Sequence, residues 1–276
     1  MSAVSPVFSS PRTARPSLAA YFLLALVAGA LLAPLIAPYA ADAVDLANRR
    51  ASPTGAHWFG TDELGRDVLT RVLLGARVSL AIGLLSAIAS AGIGVVIGGT
   101  AGYTGRWGGD LLMRLTDAML SVPRLPLLML AAAVMQPGIP TLIALVACTG
   151  WMETARVVRA EVQSLVAQDF VDAARATGVT SLRVLWRHVL PAVVPTASVA
   201  TTLSVGRAIL LESTMSFFGV GVQPPTASWG NMLYQAQTTM SSEPWLAVFP
   251  GVFIFLTVLA CNAVGDTLGR RPSHSS

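Results

Sequence analysis

The chain has 276 residues, of which 54% are hydrophobic and only 12% charged, with a mean hydropathy of +0.65 and a formal net charge of +4. A soluble domain carries about 25% charged residues, so an ordinary water-soluble domain is excluded: so apolar a surface would aggregate. Nucleic acid is not indicated either, because the basic residues, all of them arginines, are scattered between apolar runs without interleaved aromatics, the pattern of membrane loops.

A helix needs about 20 apolar residues to cross roughly 30 Å of hydrocarbon. Six segments are read as spans: 18–39, 78–103, 111–135, 139–152 running on toward 158, 193–218 and 245–266. The expected fold is therefore an all-α integral membrane protein with six transmembrane helices. The first segment follows Arg12 and Arg15 and precedes Ala40, Ala41 and Ala43. Its apolar stretch exceeds the roughly 7–15 residues of a signal-peptide core, so it reads as an uncleaved span.

Between the first two spans, residues 40–77 form a polar stretch too long for a simple connection. There Thr61 or Asp62 is placed to cap an amphipathic helix with Val68, Leu69, Val72 and Leu73 on one face, lying on the outer membrane surface. His57, Asp62, Glu63 and Asp67 fit capping and surface charge better than a metal site. On the second span Gly94, Gly98 and Gly102 repeat the small-xxx-small pattern of close helix packing, within the bundle or against another subunit. Cys148 and Cys261 lie in apolar runs and read as buried small hydrophobes, not as a disulfide framework.

A second long polar stretch runs from about Glu153 to Pro191. Asp169 is placed to cap a short helix reaching Thr177, with Asp172 near its positive end and Arg175 near its negative end. Gly178 is placed to stop that helix in a left-handed turn. Thr180 or Ser181 then starts a second helix, with Leu182, Leu185, Trp186 and Val189 as its apolar stripe. Ala173, Ala174 and Ala176 leave the first helix a flat face that another protein can approach; the alternative is a solvated loop helix whose alanines reflect only helix propensity. The single His188 reads as structural.

In the fifth span, Arg207 and Glu212 are charges in hydrocarbon, which normally face a cavity or a partner. Five residues apart, they sit about 140° apart around the helix and do not pair with each other. Beyond Glu212, residues 216–225 (Ser-Phe-Phe-Gly-Val-Gly-Val-Gln-Pro-Pro) must leave helical geometry near Gly219. Arg207, Glu212, Gly219 and Gly221 are candidates for a pathway or gate, with a plain re-entrant cap as the alternative.

Orientation follows the arginines. With the N-terminus in the cytoplasm, the inner segments hold Arg12, Arg15, Arg106, Arg114, Arg156, Arg159, Arg175, Arg183, Arg187, Arg270 and Arg271. The outer stretch 40–77 holds Arg49, Arg50, Arg66, Arg71 and Arg77, offset by Asp42, Asp45, Asp62, Glu63 and Asp67. Both termini are expected inside, and the tails 1–17 and 270–276 are expected to be disordered.

Three stretches carry a family resemblance. Asp172-Ala173-Ala174, three residues, Gly178, nine residues, then His188-Val189-Leu190-Pro191 resembles the EAA loop of ABC importer permeases, with Asp172 and His188 replacing the family's glutamate and isoleucine. Gly60-Thr61-Asp62 with Gly65-Arg66-Asp67 resembles the signature of the second permease in peptide and nickel importers. So does the stretch from Leu211-Glu212-Ser213 to Ser228-Trp229-Gly230. Arg124, between Pro123 and Pro126, departs from the apolar continuation usual in that branch.

The resemblance implies a type I importer bundle: a first helix and extracytoplasmic segment over 18–71, then a permease core over 72–269 containing the coupling loop 153–191. It implies that Asp169, Asp172, Ala173, Ala174, Arg175, Gly178, Leu190 and Pro191 couple the chain to an ATPase. The implied partners are a second homologous permease, two ABC ATPase subunits that bind ATP and Mg, an extracytoplasmic solute-binding protein and the lipid bilayer of a bacterial cytoplasmic membrane. No cofactor is expected on this chain, which has no lysine and hence no G-x-x-x-x-G-K-[ST] phosphate loop. The expected cargo is di- or oligopeptides, with nickel or a metal chelate second. A membrane-embedded enzyme would need a motif such as H-E-x-x-H or G-x-S-x-G, which is not found. A secondary transporter would be supported by inverted repeats, and none is visible.

Overall fold

An apolar chain has no water in hydrocarbon to satisfy its backbone, so it spans as helix or closed barrel. The computed structural model describes residues 17–135, 138–176 and 178–269, with the backbone alone at Arg106, Asp172, Ala174 and Arg175, and the described residues are predominantly helical. The tails that hold Arg12, Arg15, Arg270, Arg271 and His274 lie outside them, as does Thr177.

In chain order the helices are α1 (Leu18–Ile36), α2 (Val68–Tyr103), α3 (Arg106–Leu120), α4 (Arg124–Val134), α5 (Ile139–Val166), α6 (Asp169–Ala176), α7 (Ser181–Val184), α8 (Leu190–Phe217), α9 (Trp229–Ala236) and α10 (Trp245–Gly269). Five helical runs are long and apolar enough to cross a membrane: α1, α2, α5, the run 181–217 and α10. The third expected span is not one helix. It is divided into α3 and α4, which meet at 79° and make a sixth crossing if taken as one broken span. The break is local chemistry: Pro123 lacks an N–H and disfavours helical geometry at Val122.

The second span also differs from expectation. It starts ten residues early, so the expected surface helix is the first part of α2, and the boundary drawn at 71/72 falls within it. Asp67, not Thr61 or Asp62, is the cap, accepting from Thr70 N at 2.8 Å. Val68 and Val72 do not lie on a membrane surface. They are buried in a cluster with Trp229, Met232 and Leu246.

The three glycines of α2 settle which neighbour they serve. A Cβ on Gly94 would stand 2.7 Å from Thr154 Cβ, and one on Gly102 would stand 2.7 Å from Val162 Cβ. Gly98 faces the backbone of Ala155. All three lie against α5, inside the bundle. Ser90 Oγ donates to Ala147 O at 3.1 Å in the same seam. Cys261 is buried as expected but Cys148 is exposed, because its position on α5 does not face this seam.

Candidate functional site

Three places gather the residues singled out in the sequence. At the first, α5 runs on through Glu153 to Val166, so only the second part of the expected 153–191 loop is a separate element. After it comes α6, eight residues long, beginning at Asp169. Gly178 then takes φ +77° with nothing within 4 Å of where a Cβ would lie. Its glycine is thus required by the left-handed backbone and not by space. Thr180 stands at the N-cap of α7 without a side-chain hydrogen bond to it.

What holds this turn is a set of valines. Val171 of α6 is fully buried with Val158 and Val162 of α5 and with Val184, Leu185, Val189, Leu190 and Val193 beyond the turn. Sequence reading missed Val171; the only signal was the apolar pair Phe170-Val171 between two aspartates, of which Val171 is the buried member. The expected stripe is corrected too, since Leu182 and Trp186 are exposed while Val184 is buried. A π-turn at Leu185–Val189 inserts an extra residue per turn and shifts the apolar face. Leu190 is buried at the start of α8 and Pro191 occupies its first turn, where the missing N–H does no harm. Asp169, Phe170, Ala173 and Ala176 are exposed, so α6 presents an accessible face with one aromatic ring. His188 is exposed as well.

The second place lies at the other end of α8. Glu212 is fully buried. Ser216 Oγ donates to it at 2.8 Å and Ser79 Oγ from α2 at 3.1 Å, with Ser213 at 3.4 Å. Ser79 also accepts from Trp229 N at 3.1 Å, and Trp229 Nε1 donates to Val72 O at 3.1 Å. One carboxylate therefore ties α2, α8 and α9 together.

Gly219, at φ +81°, ends α8 with paired closing bonds: Gly219 N to Ser216 O at 3.0 Å and Val220 N to Met215 O at 3.0 Å. That is a Schellman cap. A Cβ on Gly221 would lie 2.4 Å or less from atoms of Ser216, so the chain passes too close for any side chain. The segment 219–228 turns α9 back against α2, α8 and α10. Glu212, Gly219 and Gly221 thus all hold the turn that carries the chain from α8 back to α9.

Close by, the stretch 57–71 is folded by its own charges. Asp62 accepts from Arg66 Nε at 2.7 Å and lies 3.6 Å from Arg71 Nε, while Asp67 Oδ1 meets His57 Nδ1 at 3.0 Å. These partners occupy Asp62, Asp67 and His57, three of the residues considered as metal ligands. Among the described residues, no three His, Cys, Asp or Glu side chains come together.

The third place was not assembled from sequence. Arg207 pairs with Glu153 of α5, and each side chain is about half exposed. Arg124, the departure from the branch's apolar continuation, donates to Thr149 Oγ1 at 3.1 Å and to Val146 O at 3.1 Å, and lines a small cleft with Arg207 and Glu153. The three charges are far apart in sequence, and only the 79° break brings the start of α4 to α5.

The comparisons with known proteins agree with one another. The family described as binding-protein-dependent transport system inner membrane component matches residues 94–273. The glutathione transport system permease protein GsiD of Escherichia coli O6:K15:H31 (strain 536 / UPEC) is 41% identical over 251 residues, covering 91% of this chain and 83% of that protein. The dipeptide transport system permease protein DppC of Bacillus subtilis (strain 168) is 38% identical over 249 residues, covering 90% and 78%. A solved chain of the MetNI methionine ABC transporter in an inward facing conformation superposes with a TM-score of 0.56, at 19% identity, over 73% of this chain and 96% of that one. That likeness bears on the fold alone.

Proposed function

This chain belongs to the family of binding-protein-dependent transport system inner membrane components, and on that premise we propose that its cargo is short peptides. The permease role itself follows from membership: the chain is a multi-pass membrane subunit of an ABC importer and not the catalytic one. The proposal extends this to its surroundings. The chain pairs with a second permease, receives peptide from an extracytoplasmic solute-binding protein, and is driven by two separate ATPase subunits. It lies in a bacterial cytoplasmic membrane with both termini inside, so that α6 faces the ATPases and the cap around Glu212 faces outward.

The observation that carries the coupling role is α6 itself. It is a short helix outside the membrane spans, pinned by one buried valine, with small side chains at Ala173 and Ala176 exposed. Pressure on its exposed face is transmitted through Val171 to α5 and to the start of α8, the two helices whose valines enclose it. Peptide cargo is supported by the two relatives, whose names concern glutathione and dipeptides. Uptake by a strain lacking the gene, with and without its restoration, tests this reading with labelled di- and tripeptides beside labelled nickel. Peptide uptake that falls and returns is expected; nickel uptake behaving so, with peptides unchanged, moves the protein to metal import.

A further inference from the structure

We propose that the guanidinium of Arg124, with Arg207 beside it, receives the carboxylate of the peptide during its passage through the membrane. The proposal rests on the peptide reading above and names the chemistry within the permease that recognises such a cargo.

Depth comes first. Val146 and Thr149, which hold Arg124, lie seven and ten residues into α5, or about 10–15 Å along its axis. Arg207 lies ten residues before the end of α8, again about 15 Å along the axis. All three charges therefore stand well within the roughly 30 Å of hydrocarbon, where an ionised side chain marks a pathway or a partner.

Charge comes second. Glu153 pairs with Arg207. Among the described residues no carboxylate pairs with Arg124, whose two partners are a hydroxyl and a carbonyl. The cluster thus holds one uncompensated positive charge. A guanidinium presents a planar fork that fits a carboxylate with two parallel hydrogen bonds. Glu153 on the same cleft repels a second negative charge, which favours a monoanion over a phosphate.

Space comes third. A Cβ on Gly150 would stand 2.4 Å from Ser90 Oγ and 3.1 Å from the Arg124 guanidinium, so the glycine lets α2 and the start of α4 both approach α5 here. Arg124 and Glu153 also stand on the wall of a second cleft of about 110 Å³, otherwise lined by Met119, Leu120, Val122, Leu127, Thr149 and Met152. Arg124 therefore lies on the wall of this cleft with an apolar surface beside its charge, an arrangement suited to a peptide end with an apolar side chain.

The test uses the whole transporter in cells and two labelled tripeptides, one with a free C-terminal carboxylate and one amidated, each saturating the solute-binding protein. That protein is unchanged between strains, so a change in the acid-to-amide uptake ratio belongs to the permease. Losing one charge-assisted hydrogen-bond pair of this kind predicts that Arg124→Gln lowers uptake of the free acid about tenfold. Uptake of the amide should hold, and Arg124→Lys, which keeps the charge but loses the fork, should recover part of the loss. Equal loss of both peptides, as when Arg124 pairs with an acid of the second permease, overturns the proposal. So does an unchanged ratio, or Arg124→Lys behaving like Arg124→Gln. If Arg124→Gln does not assemble, Glu153→Gln asks the same question from the other side: releasing Arg207 should raise the acid-to-amide ratio, and an unchanged ratio overturns the proposal. Wild-type transport of neither peptide defeats the peptide reading itself, a result separate from all of these.

Discussion

The two ends of α8 are built on opposite principles. Around Glu212, a buried carboxylate, its serine donors, a capping box at Ser228 and Asn231, and the fully buried Trp229 ring leave almost nothing to adjust. Around Gly178 a handful of valines pack one face of a short helix, and among its described side chains Asp169, Phe170, Ala173 and Ala176 are exposed. Directional bonds in a dry site fix a geometry and are costly to leave half-made. Aliphatic contacts alone let a helix tilt without breaking anything specific. The first end is fixed by directional bonds; the second is held by packing that leaves α6 freer to shift, which suits the docking role proposed for it.

The largest expected effect breaks the rigid end. Glu212→Ala removes the acceptor shared by Ser79 and Ser216 and leaves both hydroxyls buried without it, a loss of roughly 3 kcal/mol. The thermal transition of the detergent-solubilised complex should fall, and less transporter should accumulate. Glu212→Gln keeps an acceptor oxygen and should lose visibly less. Equal stability of the wild type and Glu212→Ala would mean that the carboxylate does not join α2, α8 and α9.

Next in size is Gly221→Ala. Its Cβ meets the Ser216 backbone, and overpacking against backbone is worth about 1–3 kcal/mol. Proteolysis within 219–228 is the sensitive measurement, since the cap should open before the bundle does. A protease-resistant cap in the variant contradicts the close approach.

How much of this contrast was legible in the sequence depends on what kind of contact carries it. The helical bundle follows from apolar runs of the right length, and the turn at Gly178 follows from a glycine between two capping patterns, because both are local. The α2–α5 seam was half legible: the glycine repeat announced close packing, but only the fold could say against which helix. Glu212 read as a pathway charge because one of its donors, Ser79, is an ordinary serine until α2 is brought beside α8, although Ser216 lies four residues on in α8 itself. The α3–α4 break was hidden by hydropathy, which averages over Pro123, and with it went the meeting of Arg124 with Glu153 and Arg207. Long-range polar partners leave no periodic trace.

A third substitution turns to the compliant end. Gly178→Ala forces a side chain into φ +77°, about 1–2 kcal/mol of local strain. With open space around the site, the turn can relax by moving α6, so the global transition should shift little. The expected reading is instead a loss of ATPase subunits that copurify with the membrane complex. Undiminished copurification and transport in Gly178→Ala would detach the left-handed turn from coupling.

The smallest effect on stability is expected where α6 is barest, and there the two ends separate most clearly. Ala176→Trp changes an exposed position on a helix that packs through Val171 instead. Surface substitutions of this kind stay within about 0.5 kcal/mol, so thermal stability and membrane insertion should match the wild type. Yet a large ring on a docking face blocks close approach, so peptide-stimulated ATP hydrolysis by the assembled transporter should drop sharply. The Glu212 variants predict the reverse order, with stability lost first and activity lost in proportion to it. If Ala176→Trp lowers stability and activity together, α6 is one more packed element and the division between a rigid end and a driven end does not hold. If stability stays while activity goes, the bare face of α6 is where the driving subunit meets this chain.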